Sequence, residues 1–90
     1  EPNTVEASGE KHLPAVTVED GAIHVNVGSV DHPMLPEHFI EWVYVQTENG
    51  GQRKVLKPGD EPHVTFFLGD DKAVAVYAYC NLHGLWKTEI

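Results

Sequence analysis

A strict alternation of apolar and polar residues runs from Ala22 to Val27. Ile23, Val25 and Val27 occupy every second position, and polar residues stand between them. Side chains of a strand point alternately to opposite faces of its sheet, so this pattern predicts a half-buried strand.

Short apolar segments of similar length recur along the chain, and clusters of Gly, Pro, Asn and Asp separate them. The six further strands that we predict are 15–18, 39–47, 52–57, 63–68, 73–79 and 86–90. The clearest hairpin signal is Glu48-Asn49-Gly50-Gly51. No segment shows a sustained helical period, and residues 1–9 are polar enough to form an arm. About seven short strands with regular turns predict an all-β fold, an immunoglobulin-like antiparallel β-sandwich, in a single domain over residues 1–90.

The segment from Ala73 to Tyr79 departs from alternation because apolar residues fall on both of its faces. An antiparallel strand with one solvated face should alternate. The strand is therefore either central with both faces covered, or in contact with a partner subunit. The second case predicts a homodimer.

The composition excludes several functions. Six basic and 14 acidic residues give a net charge of −8 with histidine neutral, which disfavours nucleic acid and anionic membranes as partners. No apolar run is long enough to span a membrane. The single cysteine cannot form an internal disulfide, and we expect a cytoplasmic protein. Any chemistry on an anion would need a local positive centre.

One cysteine and four histidines lie in segments that indicate loops, and together they predict a metal site. Three of the histidines are close to prolines that restrict the backbone, which lowers the entropy lost when a ligand is ordered. The candidate ligands are His12, His32, His38, Cys80 and His83. His24 and His63 belong to predicted strands and are interpreted as structural.

The donor set leaves the metal open. Structural zinc sites are four-coordinate and usually richer in cysteine. A blue-copper site uses two histidines and a cysteine on a β-sandwich, with a weak axial methionine. The chain's one methionine, Met34, is in the other loop and does not follow His83. Imidazole and thiolate also suit iron, with four imidazoles in a plane, the thiolate on one axis and the sixth position open.

Three runs of residues carry a family resemblance: E-K-H-L-P, H-P-M-L-P-E-H-F-I-E-W and C-N-L-H-G-L-W. They resemble the superoxide reductases, the family of the desulfoferrodoxins and neelaredoxins, over about residues 9–86. The resemblance implies an immunoglobulin-like fold and one mononuclear iron held by four equatorial histidines and an axial cysteine, the five residues named above.

The resemblance also implies roles around the iron. Lys11 would attract superoxide and organise the water that supplies a proton, and Glu10 would close the sixth position after hydrogen peroxide leaves. The electron donor would be a rubredoxin-like protein. The H-P-M spelling is similar to the two-iron desulfoferrodoxin branch, but we expect this chain to lack that branch's N-terminal rubredoxin-like domain. Trp86 is interpreted as core packing or a lid. The alternative function is a non-catalytic metal-binding or electron-transfer module with copper or iron.

Overall fold

The fold is nearly all-β, as the sequence predicts. A computed structural model describes residues 2–3 and 9–90. It contains one short helix, α1 (Gly9–His12), and seven strands. The strands are β1 (Pro14–Glu19), β2 (Ala22–Val27), β3 (Ile40–Thr47), β4 (Gly50–Val55), β5 (His63–Phe67), β6 (Ala73–Cys80) and β7 (Gly84–Glu89).

Two antiparallel sheets make up the sandwich. One has three strands in the order β1-β2-β5, and the other has four in the order β4-β3-β6-β7. The chain crosses between the sheets after β2, after β4 and after β5, which gives the immunoglobulin-like arrangement that the sequence predicts.

The core is formed by the alternate residues that each sheet turns inward. Ile23, Val25 and Val27 of β2 are 0–1% exposed, which confirms the alternation in the sequence. The opposite sheet contributes Val43 and Val45 of β3, both fully buried. Removal of this much apolar surface from water is the main term that stabilises a small β-sandwich.

The doubly apolar segment is β6, and it is a central strand between β3 and β7. Its inward residues, Val76 and Ala78, belong to the core. On the outer face, half-buried aromatic rings pair across β3 and β6. The rings of Trp42 and Tyr79 stack with centroids 5.6 Å apart, and those of Tyr44 and Tyr77 are 6.1 Å apart. We call these four residues the aromatic face.

The helix α1 and some strand limits differ from the sequence prediction. A single turn is too short to produce a helical period, so the sequence predicted an arm and a loop for Gly9–His12. Strand β4 begins at Gly50 because Gly50 and Gly51 already pair with β3. Strand β7 begins at Gly84 because Gly84 pairs with Cys80. Most of the predicted arm, residues 1 and 4–8, lies outside the described residues.

Within the described residues, no helix has the length and apolar character needed to cross a membrane.

Candidate metal centre

The five predicted ligands come from three segments that meet at one end of the sandwich. His12 ends α1, just before β1, and His32 and His38 lie in the loop between β2 and β3. Cys80 ends β6, and His83 lies in the turn to β7. The registers place these segments together, because Pro14 pairs with Val27 and Ile40 pairs with Cys80.

The four imidazole rings form a square. Going round it, the centroids of His12 and His32 are 4.5 Å apart, and those of His32 and His38 are 4.6 Å apart. The side from His38 to His83 is 5.1 Å and the side from His83 to His12 is 4.9 Å. Neighbouring rings are close to perpendicular, at 78–85°. The rings of His12 and His38, on a diagonal, are 6.2 Å apart and nearly parallel.

The nitrogens inside the square have the spacing of ligands to one ion. His12 Nε2 lies 3.0 Å from His32 Nε2 and 3.1 Å from His83 Nδ1. Two nitrogens bound at right angles to one ion, each by a bond of about 2.1 Å, are about 3.0 Å apart. The square therefore fits a metal ion at its centre.

The cysteine belongs to the same cluster. The donor atoms of His12, His38, Cys80 and His83 all lie within 4.8 Å of one another. Cys80 is fully buried, with Sγ 3.9 Å from His83 Nδ1. His32 is not in that tight group of four, and it joins the site through its contact with His12.

A hydrogen bond fixes the tautomer of His32. Its Nδ1 lies 2.6 Å from the carbonyl oxygen of Pro33, which can only accept, so Nδ1 carries the hydrogen. The lone pair of His32 is then on Nε2, the atom that faces the square. Burial is the main cause that lowers the pKa of His32 to about 4; the neighbouring histidines act in the same direction, and the hydrogen bond to the Pro33 carbonyl opposes them. His32 is therefore neutral at pH 7, the form that binds a metal.

His38 has a buried nitrogen with nothing to bind in the described part of the chain. Its Nε2 has no hydrogen-bond partner there. A buried polar atom without a partner is costly, and a bound ion is one accepted reason for such an atom. Burial, the nearby His83 and the charge of Lys11 lower the pKa of His38, while Glu37 opposes them. This nitrogen supports the presence of an ion at the centre of the square.

The C-N-L-H-G run folds as a tight turn because of its glycine. Gly84 has φ of +78°, a conformation that side chains other than glycine rarely adopt, and it pairs with Cys80 across the turn. The reversal brings the side chains of Cys80 and His83 to the same cluster.

Lys11 and Glu10 lie on α1 beside His12. Lys11 is half-buried and Glu10 is exposed. The effect of Lys11 on the pKa of His38 places its positive charge within electrostatic reach of the square. The Glu10 backbone carbonyl accepts hydrogen bonds from Val30 N at 2.9 Å and Ser29 Oγ at 3.3 Å, which tie α1 to the loop that carries His32.

The two remaining histidines make contacts outside the metal cluster. His24 Nδ1 lies 2.9 Å from Thr65 Oγ1, and its Nε2 lies 3.3 Å from Glu19. His63 pairs with Asp31 at 3.0 Å. Both sets of contacts agree with the structural interpretation of these residues.

Trp86, Gly28 and Asn81 support the site. Trp86 is 4% exposed, stacks on His12 with centroids 4.9 Å apart and donates from Nε1 to the carbonyl of His83, so it packs directly against the ligands. Two supporting residues were not predicted: Gly28, which packs against the backbone of α1, and Asn81, which bonds to both neighbours of His38. The only sequence signal for Asn81 was its position inside the C-x-x-H run.

The fold and the site together define a small β-sandwich domain with a histidine-cysteine metal centre at one end. The model of the desulfoferrodoxin family matches residues 4–89. A desulfoferrodoxin homologue from Archaeoglobus fulgidus is 46% identical over 88 residues, which cover 98% of this chain and 70% of that protein. A superoxide reductase from Pyrococcus horikoshii is 38% identical, covering 91% of this chain and 87% of that protein.

Solved structures show the same likeness. The crystal structure of the superoxide reductase from Treponema pallidum superposes with a TM-score of 0.93 at 47% identity, over 99% of this chain and 74% of that one. The one-iron superoxide reductase from Giardia intestinalis gives a TM-score of 0.75 at 27% identity, over 90% of this chain and 97% of that one. The chain belongs to the desulfoferrodoxin family, as its three sequence runs indicated.

Proposed function

We propose that this chain is a superoxide reductase, which converts superoxide to hydrogen peroxide by the addition of one electron and two protons. The observation that carries the proposal is the square of four imidazoles with a buried cysteine sulfur beside it, in a chain of the desulfoferrodoxin family. The residues that would hold one mononuclear iron are His12, His32, His38, Cys80 and His83.

The residues present fit iron by their chemistry. Neutral imidazoles and a thiolate suit this metal, and an open sixth position would leave room for substrate. Bound there, iron would supply the transferred electron and a positive charge that attracts the superoxide anion. The thiolate of Cys80 would donate electron density to the metal, as an axial thiolate does in haem enzymes. Cys80 is inaccessible to water, which protects that thiolate from competing oxidation.

Lys11 and Glu10 have separate roles in the proposal. The chain carries a net charge of −8, so an incoming anion needs local attraction, and the Lys11 ammonium provides it beside the square. Lys11 also orients the water that donates a proton to the product. Glu10 is on the same helix and exposed, and its carboxylate would bind to the metal once hydrogen peroxide has left.

The geometry favours this function over a copper carrier. A blue-copper site needs a weak axial ligand, usually methionine. Met34 Sδ instead accepts a hydrogen bond from the Ile40 amide at 3.4 Å, and the side chain packs against the core. The sulfur of Met34 therefore accepts a hydrogen bond within the protein, and this bond stabilises the loop before β3.

Metal analysis, an electronic spectrum and superoxide kinetics test the function together. We expect one iron per chain, a visible thiolate-to-iron band in the oxidised form and superoxide consumption without oxygen production. His24→Gln is the control, because it removes a histidine outside the cluster. A chain that binds copper, or that binds iron and leaves superoxide untouched, would instead be a metal-binding or electron-transfer module.

We further propose a rubredoxin-like protein as the electron donor and the cytoplasm as the site of the reaction. The family membership supports the first. The single buried cysteine, with no disulfide to maintain, supports the second. Reduction of the oxidised protein by a purified rubredoxin, followed at the visible band, tests the donor.

We also propose that the protein is a homodimer that pairs through the aromatic face. Four half-buried rings on one sheet face form an apolar surface that a second copy could cover. Sedimentation equilibrium should give twice the mass of the chain. Tyr44→Lys should give the monomer, and Thr17→Lys on the other sheet should leave the dimer intact. A monomeric mass for the wild type at working concentration contradicts the proposal.

A further inference from the structure

The backbone pairing of β3 with β6 ends just before the metal centre. The last pair of the ladder is Ile40 with Cys80. Beyond it, Asn81 forms three hydrogen bonds with the segment around His38. Its Oδ1 accepts from Phe39 N at 2.9 Å, its Nδ2 donates to the Glu37 carbonyl at 3.1 Å, and its backbone N donates to the Phe39 carbonyl at 3.2 Å.

The side-chain amide of Asn81 thus makes hydrogen bonds of the kind that a peptide group of a neighbouring strand would make. A primary amide offers an acceptor oxygen and a donor nitrogen, the same two functions as a peptide group. These two atoms bond to the residues on either side of His38, Glu37 and Phe39. The backbone of His38 is engaged with Leu35, to which it donates at 3.0 Å and from which it accepts at 2.9 Å.

Asn81 connects the two segments that carry His38, Cys80 and His83. Asn81 holds the two neighbours of one proposed ligand, His38, and stands itself between two others, Cys80 and His83. The side-chain amide of Asn81 therefore links the segments that carry three proposed metal ligands. This amide makes two of the three hydrogen bonds of Asn81, and the three together bridge positions 42–44 residues apart in the sequence.

We propose that Asn81 is a positioning residue, which fixes the imidazole of His38 relative to Cys80 and His83 so that their donor atoms meet at one ion. This inference rests on the proposed metal site. Asn81 does not bind the metal in this proposal. It acts by holding the backbone on both sides of His38, so that its loss lets the His38 loop move away from the C-x-x-H turn.

Titration of the metal-free protein with Co²⁺ tests this role without measuring turnover. Removal of a residue that orients a ligand typically weakens metal binding by about 10- to 100-fold, and we expect a loss in that range for Asn81→Leu, which keeps the size and removes both side-chain bonds. The matched control is Asn26→Leu. Asn26 is half-buried on the outer face of β2 and is not one of the proposed ligands, and its replacement should leave Co²⁺ affinity unchanged.

A double-mutant cycle separates positioning from a general loss of structure. If Asn81 acts through His38, Asn81→Leu should have little further effect on Co²⁺ affinity in the His38→Ala background. In the His12→Ala background, where the ligand comes from α1, the two losses should add. The thiolate-to-cobalt absorption should persist in Asn81→Leu, because Cys80 and His83 remain joined by their own turn.

Asn81→Asp keeps the test decisive if the leucine variant does not fold. Aspartate retains the acceptor for Phe39 N and loses the donor to Glu37. Its added negative charge favours a nearby cation, so any weakening of Co²⁺ binding must come from the lost donor. Wild-type affinity in both variants, or additive losses with His38→Ala, would overturn the positioning role while leaving the metal site in place. A wild-type protein that binds neither Co²⁺ nor Fe²⁺ would overturn the metal site itself.

Discussion

Replacement of Gly28 by alanine should disturb both the fold and the metal centre, because Gly28 lies directly against the backbone of α1. A Cβ at this position would be 2.6 Å from the carbonyl oxygen of Glu10, 2.8 Å from that of Leu13 and 3.0 Å from the carbonyl carbon of Lys11. All three are backbone atoms, so no side chain can rotate to relieve the contact. The helix itself has to move.

The size of that movement follows from the distances. Ordinary contact begins near 3.4 Å, so the Glu10 carbonyl must retreat by about 0.8 Å. Overpacking of this kind costs about 1–3 kcal/mol. Each kcal/mol lowers the melting temperature of a domain of this size by about 4–8 °C. The displaced helix carries His12, whose Nε2 is 3.0–3.1 Å from two other ring nitrogens, so the donor atoms would no longer meet at one point.

Thermal unfolding of the metal-free protein and Co²⁺ titration measure the two effects. Gly28→Ala should melt at lower temperature and bind Co²⁺ more weakly than the wild type, by about tenfold or more, as expected when ligand geometry is lost. Gly9→Ala is the matched control on the same helix. Among the described residues its Cβ would meet only Leu13 Cδ1, at an ordinary 3.5 Å, and alanine favours helix, so neither measurement should fall.

Similar behaviour of Gly28→Ala and Gly9→Ala would contradict this prediction. Equal melting temperatures and equal Co²⁺ affinities would mean that α1 can shift without cost and that its seat on Gly28 does not define the position of His12. A lower melting temperature with unchanged affinity would limit the role of Gly28 to stability.

Three further predictions concern the ligands and their surroundings. Cys80→Ser should abolish the thiolate-to-iron absorption and most of the activity, and a variant that keeps the visible band and full activity would show that Cys80 is not a ligand. Lys11→Ala should slow the second-order reaction with superoxide in pulse radiolysis and weaken the dependence of that rate on salt. Glu10→Ala should leave the rate unchanged and alter the spectrum of the resting oxidised form. Equal effects of the two changes on the rate would refute these separate roles. The free energy of unfolding of the metal-free protein should fall by up to about 3 kcal/mol between pH 6.5 and pH 4. The reason is that His32 takes up a proton at its ordinary pKa in the unfolded chain, but only at a pKa of about 4 in the folded chain. Urea unfolding across that range should show the loss in the wild type and in the control His24→Gln, but less of it in His32→Gln.

The sequence predicts the strands where one face is buried and one is solvated. The alternation in β2 needed no tertiary information, and its inward residues are buried as expected. Strand β4 carries no such signal, because all six of its residues are exposed, and only the Gly50-Gly51 hairpin indicated it. The helix α1 escaped prediction because a four-residue turn held by contacts to the 28–30 loop has no periodicity of its own.

The candidate ligands were predictable for a different reason. Imidazole and thiolate side chains have a chemistry that composition alone reveals, and the three runs gave their order along the chain. The arrangement of four imidazoles in a plane was expected, but how the three segments meet was not, because it depends on the register of Ile40 with Cys80 and of Pro14 with Val27.

Gly28 and Asn81 show what a search for donor atoms omits. Neither is a proposed metal ligand. Gly28 acts because it has no Cβ, which would lie 2.6 Å from the carbonyl oxygen of Glu10 in α1. Asn81 acts by bonding to backbone atoms 42 and 44 residues away. Each effect is a relation between two segments, so it has no signature in either segment alone. A metal site of this kind requires two sets of residues, one that supplies lone pairs and one that fixes where they point. Substitution of the second set should therefore weaken metal binding with every proposed ligand still present, a result that a site defined by its ligands alone cannot produce.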